Sequence, residues 1–255
     1  MKKGYKGLLA ILSVSLLLFF VASYFDTINI LGMELKSSGM YDRLTHVPDK
    51  VVEEDTFVPE FTFPQPLDTA SKHILFIGDS MLEGLSPRLA AYAKQNGHKM
   101  HTVIWYSSRT DVWGGCDTLT HFIKKYNPDY IFICLGANEL FYKNVIERHG
   151  KYVDRMLKQM GNIPYVWIGP PNWKPDTGIN ELIQSKVPEG CFFVSNGMHF
   201  DRAKDGAHPT RSSAILWMDS VARWMPQNSR FPIKMSLPTV STARPIRTEV
   251  LQPQK

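Results

Sequence analysis

The chain has only three cysteines in 255 residues, which excludes a fold built on disulfides. Cys134, inside the apolar run IFICLG, reads as a buried thiol. Cys116 and Cys191 fall in loop or edge positions, and one bridge between them stays open if the domain lies outside the cytosol. Paired metal-ligand spacing is also missing among the histidines, so neither a metal nor another cofactor is expected. A basic face is missing too. The net charge is +5, but Lys2, Lys3 and Lys6 stand at one end, and Arg230, Lys234, Arg244, Arg247 and Lys255 at the other outnumber Glu249. Residues 26–225 are left slightly acidic, which removes the main support for a nucleic-acid partner. The chain shows no internal repeat.

What is present is the composition of a folded domain, 44% hydrophobic and 12% aromatic. Residues 8–25, LLAILSVSLLLFFVASYF, carry no charge. As a helix they span roughly 27 Å, close to a bilayer core. Lysines precede the run and Asp26 follows it, so the positive-inside bias puts the N-terminus in the cytoplasm and the rest outside. A cleaved signal peptide with Val21, Ala22 and Ser23 at its small-residue site is the alternative; the length of the run favours an anchor. The expected organisation is a cytoplasmic tip and transmembrane helix over 1–25, a proline-containing stalk or linker over 26–70, a domain over 71–225, and a disordered basic, Pro-rich tail over 226–255.

Within 71–225 strands and helices alternate. Short apolar runs at 73–78, 101–106, 130–135, 165–169 and 191–195 read as strands. Helical spacing is found at 81–96, 116–126, 143–160, 178–186 and 210–225. Pro87 should kink the first of these helices or mark its true first turn. Five continuous apolar strands imply a parallel sheet covered on both faces, and right-handed crossovers give a three-layer α/β/α domain of flavodoxin-like type. Reactive groups then belong beyond the carboxyl ends of the strands.

Chemistry-bearing residues stand at those places. Gly78, Asp79, Ser80 and Met81 follow the first strand, where Ser80 can present a nucleophilic hydroxyl or where Asp79 or Ser80 merely caps a helix. Gly136, Ala137, Asn138 and Glu139 follow the third; the Asn138 amide can donate to an oxyanion, or cap a helix start, and Glu139 reads as a first-turn charge. Asp205, Gly206, Ala207, His208 and Pro209 precede the last helix, giving a general base in His208 and, three residues before it, a carboxylate to orient the ring. His199 has Asn196 in that place and reads as structural. Arg109 is a candidate for binding an anionic or hydroxyl-rich substrate, or a solvated loop charge. Trp113 and Trp173 follow strand ends and are candidates for stacking on a sugar ring, or ordinary packing residues.

The order GDS, then GxNE, then DxxH about 125 residues past the serine resembles the SGNH (GDSL-like) hydrolase superfamily over residues 71–225. GDSM-x-EGL and GPP-x-W add a likeness to its bacterial envelope members. The resemblance implies a catalytic triad of Ser80, Asp205 and His208. It also implies an oxyanion hole made of the N–H of Ser80, a glycine N–H after strand two, and the side chain of Asn138. Here the sequence departs: Ser108 stands at the glycine position, with Gly114 and Gly115 as alternative equivalents. A serine keeps the N–H but would be strained if a positive φ were required.

The expected function is a serine-dependent esterase removing a short acyl group, acetyl above all, from an envelope carbohydrate. An O-acyltransferase on the same substrate class uses the same acyl-enzyme and would take its acyl group from a membrane donor partner. A lipid or thioester hydrolase, and a non-catalytic glycan-binding pseudo-enzyme, are the remaining alternatives.

Overall fold

The computed structural model describes residues 62–253, with short stretches at residue 7 and residues 12–15, 27–30 and 33–36. The chain divides into two units, residues 1–59 and 60–255. In the first, strands β1 (Thr27–Ile30) and β2 (Met33–Lys36) pair antiparallel, with Thr27 opposite Lys36 and Ile30 opposite Met33. The expected membrane helix over 8–25 falls almost wholly outside the described residues. Among the described residues no helix is long and apolar enough to cross a membrane.

The second unit is built on strands β3 (His73–Gly78), β4 (Lys99–Trp105), β5 (Tyr130–Cys134), β6 (Tyr165–Ile168), β7 (Phe192–Phe193) and β8 (Arg247–Leu251). They form one sheet in the order β7-β6-β5-β3-β4-β8, and every pairing is parallel. The helices are α1 (Leu82–Gln95), α2 (Thr110–Gly114), α3 (Thr118–Tyr126), α4 (Val145–Met160), α5 (Ile179–Lys186) and α6 (Arg211–Asn228). The strand alternation separates two cores. Leu75, Ile77, Ile131, Ile133 and Trp167 face Trp113, Leu119, Val153, Met156 and Leu182 on one side. Ile74, Phe76, Phe132, Val166 and Ile168 face Leu82, Leu85, Leu89, Trp217 and Val221 on the other. Each such fully buried aliphatic side chain contributes about 1.5–3 kcal/mol. Pro87 lies inside α1 and not in its first turn.

The five expected strands are present in the flavodoxin-like order, but the sheet has six. The sixth strand comes from the segment read as a disordered tail, and that expectation is corrected. Residues 229–253 have little apolar periodicity because backbone hydrogen bonds attach them to the domain. Asp68 N–H donates to Pro232 O and Lys234 N–H to Asp68 O, both at 2.9 Å. Ala243 N–H donates to Pro87 O and Ile246 N–H to Met100 O, also at 2.9 Å. β8 then continues along β4, His101 opposite Arg247 and Trp105 opposite Leu251. The three cysteines are free: Cys134 and Cys191 are buried, and the Cys116 thiol points at Val112 O, so the open Cys116–Cys191 bridge is not formed.

In a parallel sheet of this order the ligand crevice opens where the winding direction reverses. Here that point lies between β3 and β5, the two strands followed by Ser80 and Asn138.

Candidate active site

β3 must stop abruptly for Ser80 to project. Gly78 allows this: a Cβ there would stand 2.2 Å from Cys134 O and 2.3 Å from Leu82 Cδ1, so only glycine fits between β5 and α1. Asp79 then turns inward. It is fully buried, accepts from the Met81 N–H at 2.9 Å through Oδ1 and meets the Asn138 amide at 3.3 Å through Oδ2. Ser80 is left half-buried at the rim.

The DGAH segment arrives from the far end of the domain sequence. Gly206 takes φ +72°, a left-handed turn that glycine enters without strain. Asp205 Oδ1 accepts from the N–H groups of Ala207 (2.9 Å) and His208 (3.0 Å), while Oδ2 lies 2.8 Å from His208 Nδ1. The backbone N–H groups of His208 and Ala207, then the His208 ring, hold the Asp205 carboxyl down at about 2, although it is exposed. An ionised carboxylate at Nδ1 keeps the ring proton there and leaves Nε2 as the acceptor. His208 Nε2 lies 2.8 Å from Ser80 Oγ. The three residues proposed as a triad thus meet, in a geometry that lets the serine proton move onto the imidazole.

Neither a family model nor a curated protein sequence matches the chain. Similar solved structures include the psychrotrophic esterase EstA from Pseudoalteromonas sp., at 17% identity over 60% of this chain and 97% of that one, with a TM-score of 0.43. Another is a family 3 carbohydrate esterase from Clostridium thermocellum, at 16% identity, 62% and 100% coverage and a TM-score of 0.45. A third is a salicylyl-acyltransferase of a tetracycline biosynthetic pathway, at 17% identity, 61% and 55% coverage and a TM-score of 0.42.

The oxyanion side departs from expectation. Ser108 is buried and its N–H is already engaged, donating to Trp105 O at 3.1 Å. The positive φ falls one residue earlier, on Ser107 at +56°. Gly114 and Gly115 lie within and at the end of α2, Gly114 against the Tyr152 backbone, where they serve helix packing. The Asn138 amide donates to Ser108 O at 2.9 Å and to Asp79 Oδ2 at 3.3 Å.

Of the substrate-binding candidates, Trp113 is corrected: it is fully buried, edge-on to Trp105, with its indole N–H on Ser108 Oγ at 2.9 Å. The loop position suggested access, but α2 turns the ring into the core. Arg109 is held by Asp111 through two bonds of 2.9 and 3.0 Å and lies 4.5 Å over the Tyr142 ring. Trp173 is half-buried, edge-on to the exposed Phe141 ring at 5.3 Å. His199 is exposed and stands apart from the triad contacts.

Two features had no clear signal in the sequence. Arg202 donates to Ala207 O and to Pro171 O, both at 2.8 Å, tying the His208 loop to the loop that carries Trp173. Glu139, read as a first-turn charge, does open a 3₁₀ turn over Glu139–Phe141 but is fully buried. Its Oε1 accepts from Thr110 N–H at 2.6 Å.

Burial pushes the carboxyls of Glu139 and Asp79 up to about 7. Because their folded values lie above the unfolded ones, the protonated forms favour the folded state. That stability is complete below about pH 4 and is lost as pH rises through 7. Glu139→Gln removes one titration. Its unfolding free energy relative to wild type should therefore improve between pH 5 and pH 8, by an amount on the order of 2–3 kcal/mol. A wild-type-to-variant difference that is the same at both pH values would show that Glu139 is ionised throughout.

Proposed function

We propose that the protein is a serine-dependent acyl hydrolase acting through a Ser80 acyl-enzyme. The observation that carries this reading is the pair of 2.8 Å contacts linking Ser80, His208 and Asp205. Ser80 Oγ attacks the ester carbonyl carbon while His208 Nε2 takes its proton. Collapse breaks the bond to the alcohol, which leaves with that proton. A water, or an acceptor hydroxyl, then gives its proton to His208, attacks the acyl carbon, and Ser80 recovers its proton. The developing oxyanion is received by the Ser80 N–H and by the Asn138 amide hydrogen now engaged only at 3.3 Å with Asp79.

The leaving group in this reading is a sugar. A cleft of about 250 Å³ adjoins Ser108, lined by Trp105, Tyr106, Ser107, Arg109 and Pro253. Aromatic and hydroxyl groups suit a polyhydroxylated ring, and pairing of Arg109 with Asp111 favours an uncharged one. An anchor over residues 8–25 would place the site outside the cytoplasm, beside envelope carbohydrate.

Purified protein is expected to turn over p-nitrophenyl acetate and to prefer acetyl over longer acyl chains. Adding an oligosaccharide separates two outcomes: unchanged release of acetate marks an esterase, and acetylated oligosaccharide marks an O-acyltransferase. Oligosaccharide binding with neither turnover nor covalent capture of Ser80 by a fluorophosphonate would sink the enzyme reading.

A further inference from the structure

We propose that Glu139 is a positioning residue of this site, its buried carboxyl group fixing residues 107–110 against the Asn138 turn and so setting where the Asn138 amide stands. This rests on the acyl-enzyme reading of Ser80.

Asn138 and Glu139 are successive residues that grip the same loop at two points. Asn138 Nδ2 donates to Ser108 O at 2.9 Å, and Glu139 Oε1 accepts from Thr110 N–H at 2.6 Å. The loop is backed from α4, where His149 Nδ1 lies 2.8 Å from Thr110 Oγ1 and 3.9 Å from Glu139 Oε1. With both grips the amide has one position relative to Ser80. With the Asn138 bond alone, the loop and the amide can shift together. A displacement of about 1 Å in an oxyanion donor lowers a rate by roughly 100-fold.

The second oxygen argues that the carboxyl is not there for stability. Glu139 Oε2 is buried with no hydrogen-bond partner. A buried, half-satisfied acid works against the fold, where an apolar side chain of similar size would not. Rules of folding broken in this way concentrate at functional sites.

The test uses the full chain with Glu139→Leu, Glu139→Asp and Glu139→Gln. Gln keeps an oxygen for Thr110 N–H; Asp is one methylene short of it; Leu has none. The Leu and Asp variants are expected to lower kcat for p-nitrophenyl acetate ~30-fold or more with KM within about 3-fold, and to slow fluorophosphonate capture of Ser80 in parallel. Gln is expected to restore both to within about 3-fold of wild type. If the Leu variant does not fold, the Asp-to-Gln comparison decides. Equal kcat in the Asp and Gln variants, or a Leu variant as fast as wild type, overturns the proposal. Wild type that neither turns over nor is captured refutes the acyl-enzyme reading and this proposal with it; wild type and Leu variant captured at equal rates refute this proposal alone.

Discussion

Ser80→Ala is expected to lower kcat/KM for p-nitrophenyl acetate by ~10⁴-fold or more and to abolish capture by a fluorophosphonate. The size follows from the chemistry. Without the hydroxyl no acyl-enzyme forms, and only binding and the oxyanion donors remain to assist water. His208→Ala should cost about as much, and the double variant little more, because the two residues act as one unit. Asp205→Asn should cost less than the ~10⁴-fold seen when a triad acid is buried. The Asp205 side chain is half exposed, so water can partly replace its charge, and Asn can still accept from the two backbone N–H groups that shape the turn. The acid side of the pH profile separates the partners. Asp205 stays ionised down to about pH 2, so activity lost at milder acidity does not come from loss of its charge. Equal turnover in wild type and Ser80→Ala, measured on protein freed of contaminating esterase, would end the triad reading.

The sheet and the meeting of Ser80, Asp205 and His208 were legible because both depend on local patterns. Runs such as HILFIG and YIFICL are buried on both faces and need no partner to be recognised. Their carboxyl ends point to the rim, so Ser80, Asn138 and His208 could be assigned to one edge before their contacts were known. Side-chain direction was not legible. Trp113 and Glu139 both follow strand ends, as Ser80 does, yet a five-residue helix turns the one inward and a 3₁₀ turn the other. Ser108 failed for a related reason: the sequence shows that its N–H exists, but not that Trp105 O receives it. Arg202 was invisible because its partners are carbonyl oxygens, which every residue has. The same holds for much of the chain after α6, attached through backbone groups, through side chains such as Tyr126 and Lys125 on Glu249, and through Arg88, which joins a buried ion pair with Asp219 to the carbonyl oxygens of Val240 and Ser241.

That ion pair yields the second large effect. Arg88→Ala should destabilise the domain by about 3–5 kcal/mol, the usual result of leaving one member of a buried pair unpartnered. For a domain of this size it corresponds to a fall of about 10 °C or more in the unfolding midpoint. Arg88 is buried in α1, with Nε 2.6 Å from Asp219 Oδ1 in α6 and Nη1 2.9 and 3.0 Å from the carbonyl oxygens of Val240 and Ser241. Without it, Asp219 keeps only the Tyr92 hydroxyl at 2.9 Å, and residues 240–241 lose their side-chain tether. Amide exchange over residues 236–251 should therefore rise more than exchange in β3 or β5. Replacing both partners, Arg88→Met with Asp219→Leu, should recover much of the midpoint but not the exchange protection, because no donor then reaches the two carbonyls. The consequence extends to the rim. β8 runs parallel to β4, so its carboxyl end lies at the reactive edge, where Tyr106 N–H donates to Leu251 O at 3.0 Å and the Trp105 indole to Gln252 O at 3.1 Å. A loosened segment widens the cleft that Pro253 helps to line. KM for an acetylated sugar should rise severalfold in Arg88→Ala while KM for p-nitrophenyl acetate stays near wild type. An unchanged midpoint together with unchanged exchange would mean that β8 pairing and the other contacts of residues 229–253 hold the segment without Arg88.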